Sequence, residues 1–331
     1  MVVVEPPPQS FLRRGERVIA VHLEGSIVTV RDTAVPEPPP GYALLRLIRG
    51  GICNTDLELR RGYYGFSGQP GHEFVAEVIE CGEPGWIGRR VVGEINLACG
   101  TCDWCHRGLG RHCPSRTVLG IVKHPGAFAE SFTLPVANLL EVPGRVPTDA
   151  AVFTEPVAAA CEILDQVSIP PGAEVAVLGD GKLGLLIAQV LQLHGARVKL
   201  RGRHPEKMAI AAAVGVEPVQ SAGAPFDYVV DATGSEDGLA QAVAMTRPRG
   251  TLVLKSTVAR RVSIDTAAII VNEITLVGSR CGRFEPALDL IASGRLNLEP
   301  MIHARYPLRD APAAFAHAEA KGALKVLLTR D

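Results

Sequence analysis

Residues 174–200 read EVAVLGDGKLGLLIAQVLQLHGARVKL: an apolar strand, a glycine turn, an apolar helix and a second strand. This order is that of a βαβ unit, and the glycines have the G-x-G-x-x-G spacing of a dinucleotide-binding loop. Such a loop lets the backbone approach a pyrophosphate, and the free N–H groups of the helix start point at the phosphates. A lone glycine motif can also be a plain turn, but the flanking strand and helix favour dinucleotide binding. The residues predicted to hold the cofactor here are Gly179, Gly181, Lys182, Leu183 and Gly184.

The end of the second strand, RVKLRGRHPEK, bears on which dinucleotide binds. A site specific for NAD(H) carries an acidic residue there, which binds the ribose 2′-OH. Gly202 occupies that position, and Arg201, Arg203 and His204 flank it. Arginine pairs well with a 2′-phosphate, although arginines on a surface can also be merely solvated charges. The sequence therefore favours NADP(H) over NAD(H).

Three further apolar strands are predicted downstream, at 226–234, 250–257 and 273–279. Helical segments near 205–214 and 236–246 alternate with them, and the stretch 148–167 is predicted to be a helix that leads into the unit. Alternating strands and helices of this kind are typical of a doubly wound parallel sheet, so the fold class is α/β.

The part of the chain before this sheet has a different character. Short β-rich runs such as VIAVHL, SIVTV and YALLRLIR are separated by proline and glycine turns. Short strands with such punctuation predict a β-barrel-like or sandwich domain. Two domains also suit the length of 331 residues, which is long for a single core.

Four cysteines lie close together in CGTCDWCHRGLGRHC at 99–113, with two, two and seven residues between them. Four thiolates at such spacing can close a tetrahedron around one Zn²⁺, which leaves no open position for a substrate. A metal-free loop and a pair of disulfides are the alternatives. We predict a structural zinc lobe at 96–114, with the ligands Cys99, Cys102, Cys105 and Cys113.

The segment 50–74, GGICNTDLELRRGYYGFSGQPGHEF, offers a second candidate metal site. Cys53 and His72 are ligand types that zinc prefers, and a catalytic site needs three protein ligands and an open position. One cysteine and one histidine at this distance are by themselves a weak signal. The segment needs a third ligand from elsewhere in the chain.

The overall composition excludes some partners. The net charge of −1 gives no support for nucleic-acid binding, which usually needs a clustered basic surface. The sequence has no apolar run of the ~18 to 20 residues that span a bilayer, and its start does not resemble a signal peptide. We therefore expect a cytoplasmic protein without nucleic-acid or membrane partners.

These motifs, in this order, resemble the zinc-dependent medium-chain alcohol dehydrogenase family, close to its threonine, polyol and glucose dehydrogenase branch. The resemblance rests on Cys53-Asn54-Thr55-Asp56, Gly71-His72-Glu73, the four clustered cysteines and the glycine loop. It implies a GroES-like β-rich catalytic domain at 1–147, a Rossmann cofactor domain at 148–285, and a return to the catalytic domain at 286–331. It also implies a homodimer or homotetramer.

The resemblance assigns roles around the first zinc. Glu155, in Glu155-Pro156, is the expected third ligand, with Cys161 as its rival, and Glu73 lies beside the metal as a loose ligand or behind it. Asp56 would orient the ligating imidazole, as such ligands usually require. Thr55 would take the proton of the bound alcohol, and Glu58 stands where the best-studied members carry a histidine.

The implied reaction is hydride transfer between a small alcohol, polyol or sugar and NAD(P)⁺, with one catalytic and one structural zinc. Two alternatives remain open at this point: a zinc-free quinone or enoyl reductase of the same superfamily, and a zinc-binding module without catalytic activity. A zinc-free reductase would lack the pair of Cys53 and His72, which this chain has. A non-catalytic zinc-binding module would not need the glycine loop, which this chain also has.

Overall fold

The computed structural model of the protein describes residues 16–219, 225–256 and 262–330. The N-terminal residues 1–15 of the first predicted domain and Thr257, at the end of a predicted strand, lie outside the described residues. Within the described ranges, every helix is too short or too polar to cross a membrane.

The first half of the described chain is rich in strands. Its strands are β1 (Arg17–Glu24), β2 (Ile27–Ala34), β3 (Tyr42–Ile52), β4 (Ser67–Gly68), β5 (Glu73–Cys81), β6 (Arg90–Gly93), β7 (Asn96–Leu97), β8 (Thr117–Leu119), β9 (Lys123–His124), β10 (Ser131–Pro135) and β11 (Leu139–Glu141). Two short helices interrupt them, α1 (Asn54–Arg60) and α2 (Asp103–His106). This β-rich part agrees with the sequence pattern, whereas α1 was not predicted.

The strand β3 is the centre of the largest sheet in the described structure. It pairs antiparallel with β5 along its length, and with β10 and the C-terminal strand at the two ends of its other edge. Most of its apolar side chains are fully buried, which suits a strand with neighbours on both sides. Because β3 ends at Ile52 and β5 begins at Glu73, the pairing brings Cys53 and His72 to the same end of the sheet.

Two helices connect this part to the second sheet, α3 (Thr148–Ala151) and α4 (Thr154–Gln166). The sequence pattern predicts one continuous helix here, but the structure breaks it at Val152 and Phe153. The break places Glu155 in the first turn of α4, where its side chain faces the β-rich part of the molecule.

The second sheet contains six strands in the order β14-β13-β12-β15-β16-β17, and every adjacent pair runs parallel. Its strands are β12 (Glu174–Leu178), β13 (Arg197–Arg201), β14 (Glu217–Pro218), β15 (Phe226–Asp231), β16 (Thr246–Leu254) and β17 (Thr275–Gly278). Its helices are α5 (Lys182–His194), α6 (Pro205–Ala212), α7 (Glu236–Met245) and α8 (Thr266–Val271). The predicted doubly wound sheet is confirmed; α8 was not predicted.

The last part of the chain consists of α9 (Phe284–Ala292), β18 (Ile302–Pro307), α10 (Ala311–Glu319) and β19 (Lys325–Thr329). The strand β19 pairs antiparallel with the end of β3 at 49–52 and parallel with β18. The C-terminal strand therefore joins the sheet built by the N-terminal residues, and Lys325 stands at the edge where Cys53 and His72 meet.

Phe128 fills the core between these segments. Its side chain is fully buried, packs edge-on against Phe315 of α10 with ring centroids 6.3 Å apart, and lies where a Cβ on Gly71 would need to be. The backbone of Phe128 also bonds to Val21 of β1 and to Pro70. This residue therefore ties β1 to the segment that precedes His72.

We predict that Phe128→Ala lowers the free energy of unfolding by about 3 to 5 kcal/mol, because it removes a buried ring and leaves a cavity. The matched control is Ile27→Ala, since the side chain of Ile27 is 61% exposed and such changes usually stay within ~0.5 kcal/mol. Urea unfolding followed by circular dichroism measures both. Equal effects of the two substitutions would contradict the assigned core.

Candidate active site

Three potential metal ligands converge at the end of β3. The sulfur of Cys53, a ring nitrogen of His72 and a carboxylate oxygen of Glu73 all lie within 4.8 Å of one another. Cys53 is the N-cap residue of α1, while His72 directly precedes β5 and Glu73 begins it, and both are almost fully buried. The structure thus brings together two residues that are nineteen positions apart in the sequence.

Asp56 holds both ligand-bearing segments in place. One of its carboxylate oxygens accepts the backbone N–H of Cys53 at 2.9 Å, and the other accepts the N–H of Gly71 at 3.2 Å. The second oxygen also lies 3.5 Å from Nδ1 of His72. Asp56 therefore faces the Nδ1 side of the imidazole, which leaves Nε2 for a metal, in line with its predicted orienting role.

The electrostatics of this cluster suit a cation. Burial acts to lower the pKa of His72, but the carboxylate of Asp56 and the sulfur of Cys53 outweigh it and raise that pKa well above its ordinary value. A raised pKa of a buried imidazole beside a sulfur and two carboxylates marks a site with an excess of negative partners. A divalent cation on thiolate and imidazole ligands satisfies the same groups, so the residues present fit zinc.

Glu73 is also the partner of a lysine from the other end of the chain. Its Oε2 accepts a hydrogen bond from Nζ of Lys325, and both side chains are only about 1% exposed. Its Oε1 is buried and has no hydrogen-bond partner among the described residues. Glu73 therefore keeps one oxygen without a hydrogen-bond partner, so it could serve as a loose ligand or stand behind the metal.

Glu155 lies near this cluster but outside its closest group. Burial raises the pKa of Glu155 to about 7, against the opposing influence of His72. The neighbours that influence it include Glu73 and Lys325, which places its carboxyl beside the cleft. Cys161, the rival ligand, belongs to neither of the two ligand groups found in the described residues, and burial raises its thiol pKa to about 11.

Thr55 and Glu58 both belong to α1, one turn apart. The hydroxyl of Thr55 lies 3.8 Å from the sulfur of Cys53, so it borders the metal cluster. Glu58 instead forms a partly exposed ion pair with Arg61 at 2.6 Å. The proposed relay thus has one member at the cluster and one near solvent.

The four clustered cysteines form a second, self-contained group. Four of their sulfur–sulfur distances are 3.5, 3.5, 3.7 and 3.9 Å, far longer than a disulfide bond. A tetrahedron of sulfurs around zinc at about 2.3 Å has edges of about 3.8 Å, so the arrangement fits one ion. Cys105 lies in the helix α2 and Cys102 is its N-cap residue, while Cys113 directly follows a short 3₁₀ turn.

The glycine loop has the shape that the sequence predicts. Gly179 has a φ of +110°, and a Cβ there would lie 2.6 Å from the carbonyl oxygen of Ala232. A Cβ on Gly184 would lie 1.9 Å from the carbonyl oxygen of Gly179, so only glycine allows this contact between helix and loop. The space above Gly181 is open, and no side chain caps α5, so its first N–H groups are free for phosphates.

Lys182 begins α5 but does not extend away from the protein. Its Nζ lies 3.4 Å from the carbonyl oxygen of Ile52, the residue before Cys53. Burial and the nearby Lys325 lower its pKa to about 8. The glycine loop and the metal cluster are therefore neighbours across one cleft.

The turn at 202–204 is held by a residue of the glycine loop that sequence reasoning missed. One oxygen of Asp180, from the glycine loop, lies 2.6 Å from the N–H of Arg203, 2.8 Å from the N–H of His204 and 2.9 Å from Nδ1 of that histidine. An acidic residue inside the glycine motif was the available signal. Lys325 was missed as well, although a lone lysine in the apolar run ALKVLLT marks it.

Comparisons with known proteins agree with this arrangement. Residues 39–144 match the family described as alcohol dehydrogenase GroES-like domain, and residues 183–293 match that of zinc-binding dehydrogenases. L-threonine 3-dehydrogenase of Streptomyces avermitilis is 32% identical over 327 residues, covering 90% of this chain and 94% of that protein. D-altritol 5-dehydrogenase of Agrobacterium fabrum is 30% identical, with coverage of 91% and 92%.

A solved structure shares the whole architecture. A Sinorhizobium meliloti protein, described as a zinc-binding dehydrogenase bound to NADP, superposes with a TM-score of 0.88 at 30% identity and covers 95% of this chain and 99% of its own. The chain belongs to the zinc-type medium-chain alcohol dehydrogenase family. It is an oxidoreductase that transfers a hydride between an alcohol and NAD(P), and neither alternative from the sequence is favoured.

We predict that substitutions in the two groups of metal ligands have different effects. Cys102→Ser should lose the zinc of the cysteine lobe and lower the melting temperature, because structural zinc contributes folding energy. Cys53→Ser should lose only the other zinc and melt within a few degrees of the wild type. Metal analysis per chain and thermal unfolding test this, and a fully stable Cys102 variant without activity would mean that the roles are reversed.

A pH effect follows from Glu155. Its folded pKa lies above the ordinary 4.5, at about 7, so below pH 4.5 the folded and unfolded states are both protonated. Between these values the folded state binds more protons, and stability falls as pH rises. We predict that Cys53→Ser, which lacks the nearby zinc, loses stability relative to Cys53→Ser/Glu155→Gln as pH rises from 5 to 8. A difference that does not change with pH would contradict the burial of this carboxyl.

Proposed function

We propose that this protein is a zinc-dependent polyol or sugar-alcohol dehydrogenase that uses NADP(H). The observation that supports this most directly is the contact of Lys182 with Ile52. It places the start of the cofactor-binding helix beside the cluster of Cys53, His72 and Glu73, so hydride acceptor and alcohol can meet in one cleft.

We propose that Cys53, His72 and Glu155 hold the catalytic zinc. Glu73 would lie beside the metal, either as a loose fourth ligand or behind it. Glu155 is the best candidate for a third ligand, since its carboxyl lies beside the cluster and burial raises its pKa to about 7. Glu73 keeps one free oxygen while Lys325 holds the other. The cysteine lobe at 99–113 would hold the second, structural zinc.

When bound, zinc would lower the pKa of the alcohol that it binds, and the nicotinamide would accept the hydride. The residues of α1 handle the proton. Thr55 is placed to accept it at its Oγ1, because this hydroxyl borders Cys53. Glu58, paired with Arg61 near the surface, would pass the proton to solvent.

The preference for NADP(H) is supported by the turn after β13. Gly202 offers no carboxylate to a ribose 2′-OH, and the exposed side chain of Arg203 and the ring of His204 lie at the same turn. The Sinorhizobium meliloti relative was solved with NADP. A polyol or sugar alcohol as substrate is supported by the relatives named as D-altritol 5-dehydrogenase and sorbitol dehydrogenase.

We also propose domain boundaries at 147/148 and 285/286, a homodimer or homotetramer, and a cytoplasmic location. Exposed Ile270, Val271 and Leu276 lie on α8 and the edge strand β17, where a second copy could pair. The eight cysteines, all within the described ranges, are free, as suits a reducing compartment.

The test is a turnover screen of small alcohols, pentitols, hexitols and aldoses with NADP⁺ and NAD⁺, followed by absorbance at 340 nm. We expect turnover of a polyol with NADP⁺, lost when the catalytic zinc is removed. Thr55→Ala should lower kcat by ~10²- to 10⁴-fold, whereas Thr55→Ser keeps the hydroxyl and most of the activity. Equal rates for the two variants would remove Thr55 from the proton path.

A further inference from the structure

The carboxylate of Asp180 is the centre of the turn that follows β13. Its Oδ2 accepts hydrogen bonds from the backbone N–H groups of Arg203 and His204 and from Nδ1 of His204, at 2.6 to 2.9 Å. Only 12% of the side chain is exposed. One buried oxygen with three donors fixes both backbone and ring of this turn more firmly than a surface ion pair does.

The same side chain occupies the space in which a residue-202 side chain would stand. A Cβ built on Gly202 would lie 2.7 Å from both Cβ and Oδ2 of Asp180, and 2.5 Å from the sulfur of Met208. Methionine is flexible and can move, but Asp180 is held by three hydrogen bonds. A side chain at position 202 is therefore incompatible with Asp180 in this position.

The negative charge of Asp180 is stabilised by hydrogen-bond donors of the turn at 202–204. Burial acts to raise the pKa of Asp180, but the hydrogen bonds from His204 and Arg203 outweigh it and hold the pKa below its ordinary value. The ionised oxygen is thus engaged by its three donors. In the described parts of the chain, the side chain of Arg203 is exposed and has no ion-pair partner. His204 has its Nε2 left for a ligand.

We propose that Asp180 is the positioning residue for recognition of the 2′-phosphate of NADP(H). It excludes a side chain at Gly202, which would carry the carboxylate selective for NAD(H), and it orders Arg203 and His204 as the phosphate-binding pair. This inference rests on the proposed preference for NADP(H). The opposite role has a distinct signature, because a carboxylate that faces the ribose would bind the 2′-OH and repel a 2′-phosphate.

The experiment measures the dissociation constants of NADPH and NADH by fluorescence titration, with no turnover involved. Asp180→Ala should weaken NADPH binding by about tenfold or more, because Arg203 and His204 would no longer be held in place for the 2′-phosphate. NADH lacks that phosphate, so its binding should weaken by no more than about twofold. Asp180→Asn keeps an acceptor for the two amides and should recover part of the loss. Melting temperatures confirm that each variant is folded.

Two outcomes overturn the inference. Tighter NADPH binding by Asp180→Asn would show that the carboxylate repels the phosphate, and equal weakening of both cofactors would show a merely structural role. A wild type that prefers NADH would overturn the proposed cofactor preference itself, which the wild-type titration decides before any variant is compared.

A second pair of variants tests the steric step. Gly202→Ala should weaken NADPH binding in the wild-type background, because its methyl group displaces the Asp180 side chain. In the Asp180→Gly background the same methyl group meets neither Cβ nor Oδ2, so its further effect should be small. Additive effects in this double-mutant cycle would mean that the two positions act independently and would contradict the argument.

Discussion

The buried ion pair between Glu73 and Lys325 joins the two ends of the structure. Glu73 begins β5, next to His72, and Lys325 begins the C-terminal strand β19. Burial acts to lower the pKa of Lys325, but Glu73 and then Cys53 hold it above its ordinary value. A buried charge without its partner costs several kcal/mol, so each residue requires the other in place. The C-terminal strand must therefore pair with β3 in this register for the metal cluster to form.

Asp56 likewise joins two separate segments, but over a shorter distance in the sequence. Its carboxylate is fully buried and bonds the backbone N–H groups of Cys53 and Gly71. These two segments come from opposite ends of the 50–74 stretch, and a single side chain sets their separation. The ligand positions of Cys53 and His72 thus depend on two buried carboxylates, Asp56 and Glu73. Water solvates neither charge, so each carboxylate depends on its protein partners.

The features that could be predicted from the sequence are those whose physics is local. The glycine loop and the cysteine lobe each lie within about fifteen residues, so spacing alone indicates the turn and the tetrahedron. The alternation of strands and helices likewise predicts the parallel sheet. The pair of Cys53 and His72 needed the resemblance to a family, because their approach depends on the pairing of β3 with β5.

Contacts between distant segments could not be predicted in the same way. Nothing in the sequence indicates that Lys325 reaches Glu73, since the two are 252 positions apart. Asp180 and Gly202 are 22 positions apart. The sequence shows that position 202 has no carboxylate, but it does not show that the side chain of Asp180 occupies the space there. Glu58 was assigned from a family position, whereas its pairing with Arg61 is a property of this helix.

The cleft holds two groups whose charged forms are disfavoured by burial. Burial raises the pKa of Glu155 to about 7 and lowers that of Lys182 to about 8. A divalent cation beside Glu155 favours its ionised form, and the pyrophosphate of a dinucleotide at α5 favours the charged form of Lys182. Each partner thus stabilises a charge that the protein alone stabilises poorly. Because Lys182 bonds the carbonyl oxygen next to Cys53, the charge that the cofactor would stabilise lies directly beside the metal ligands.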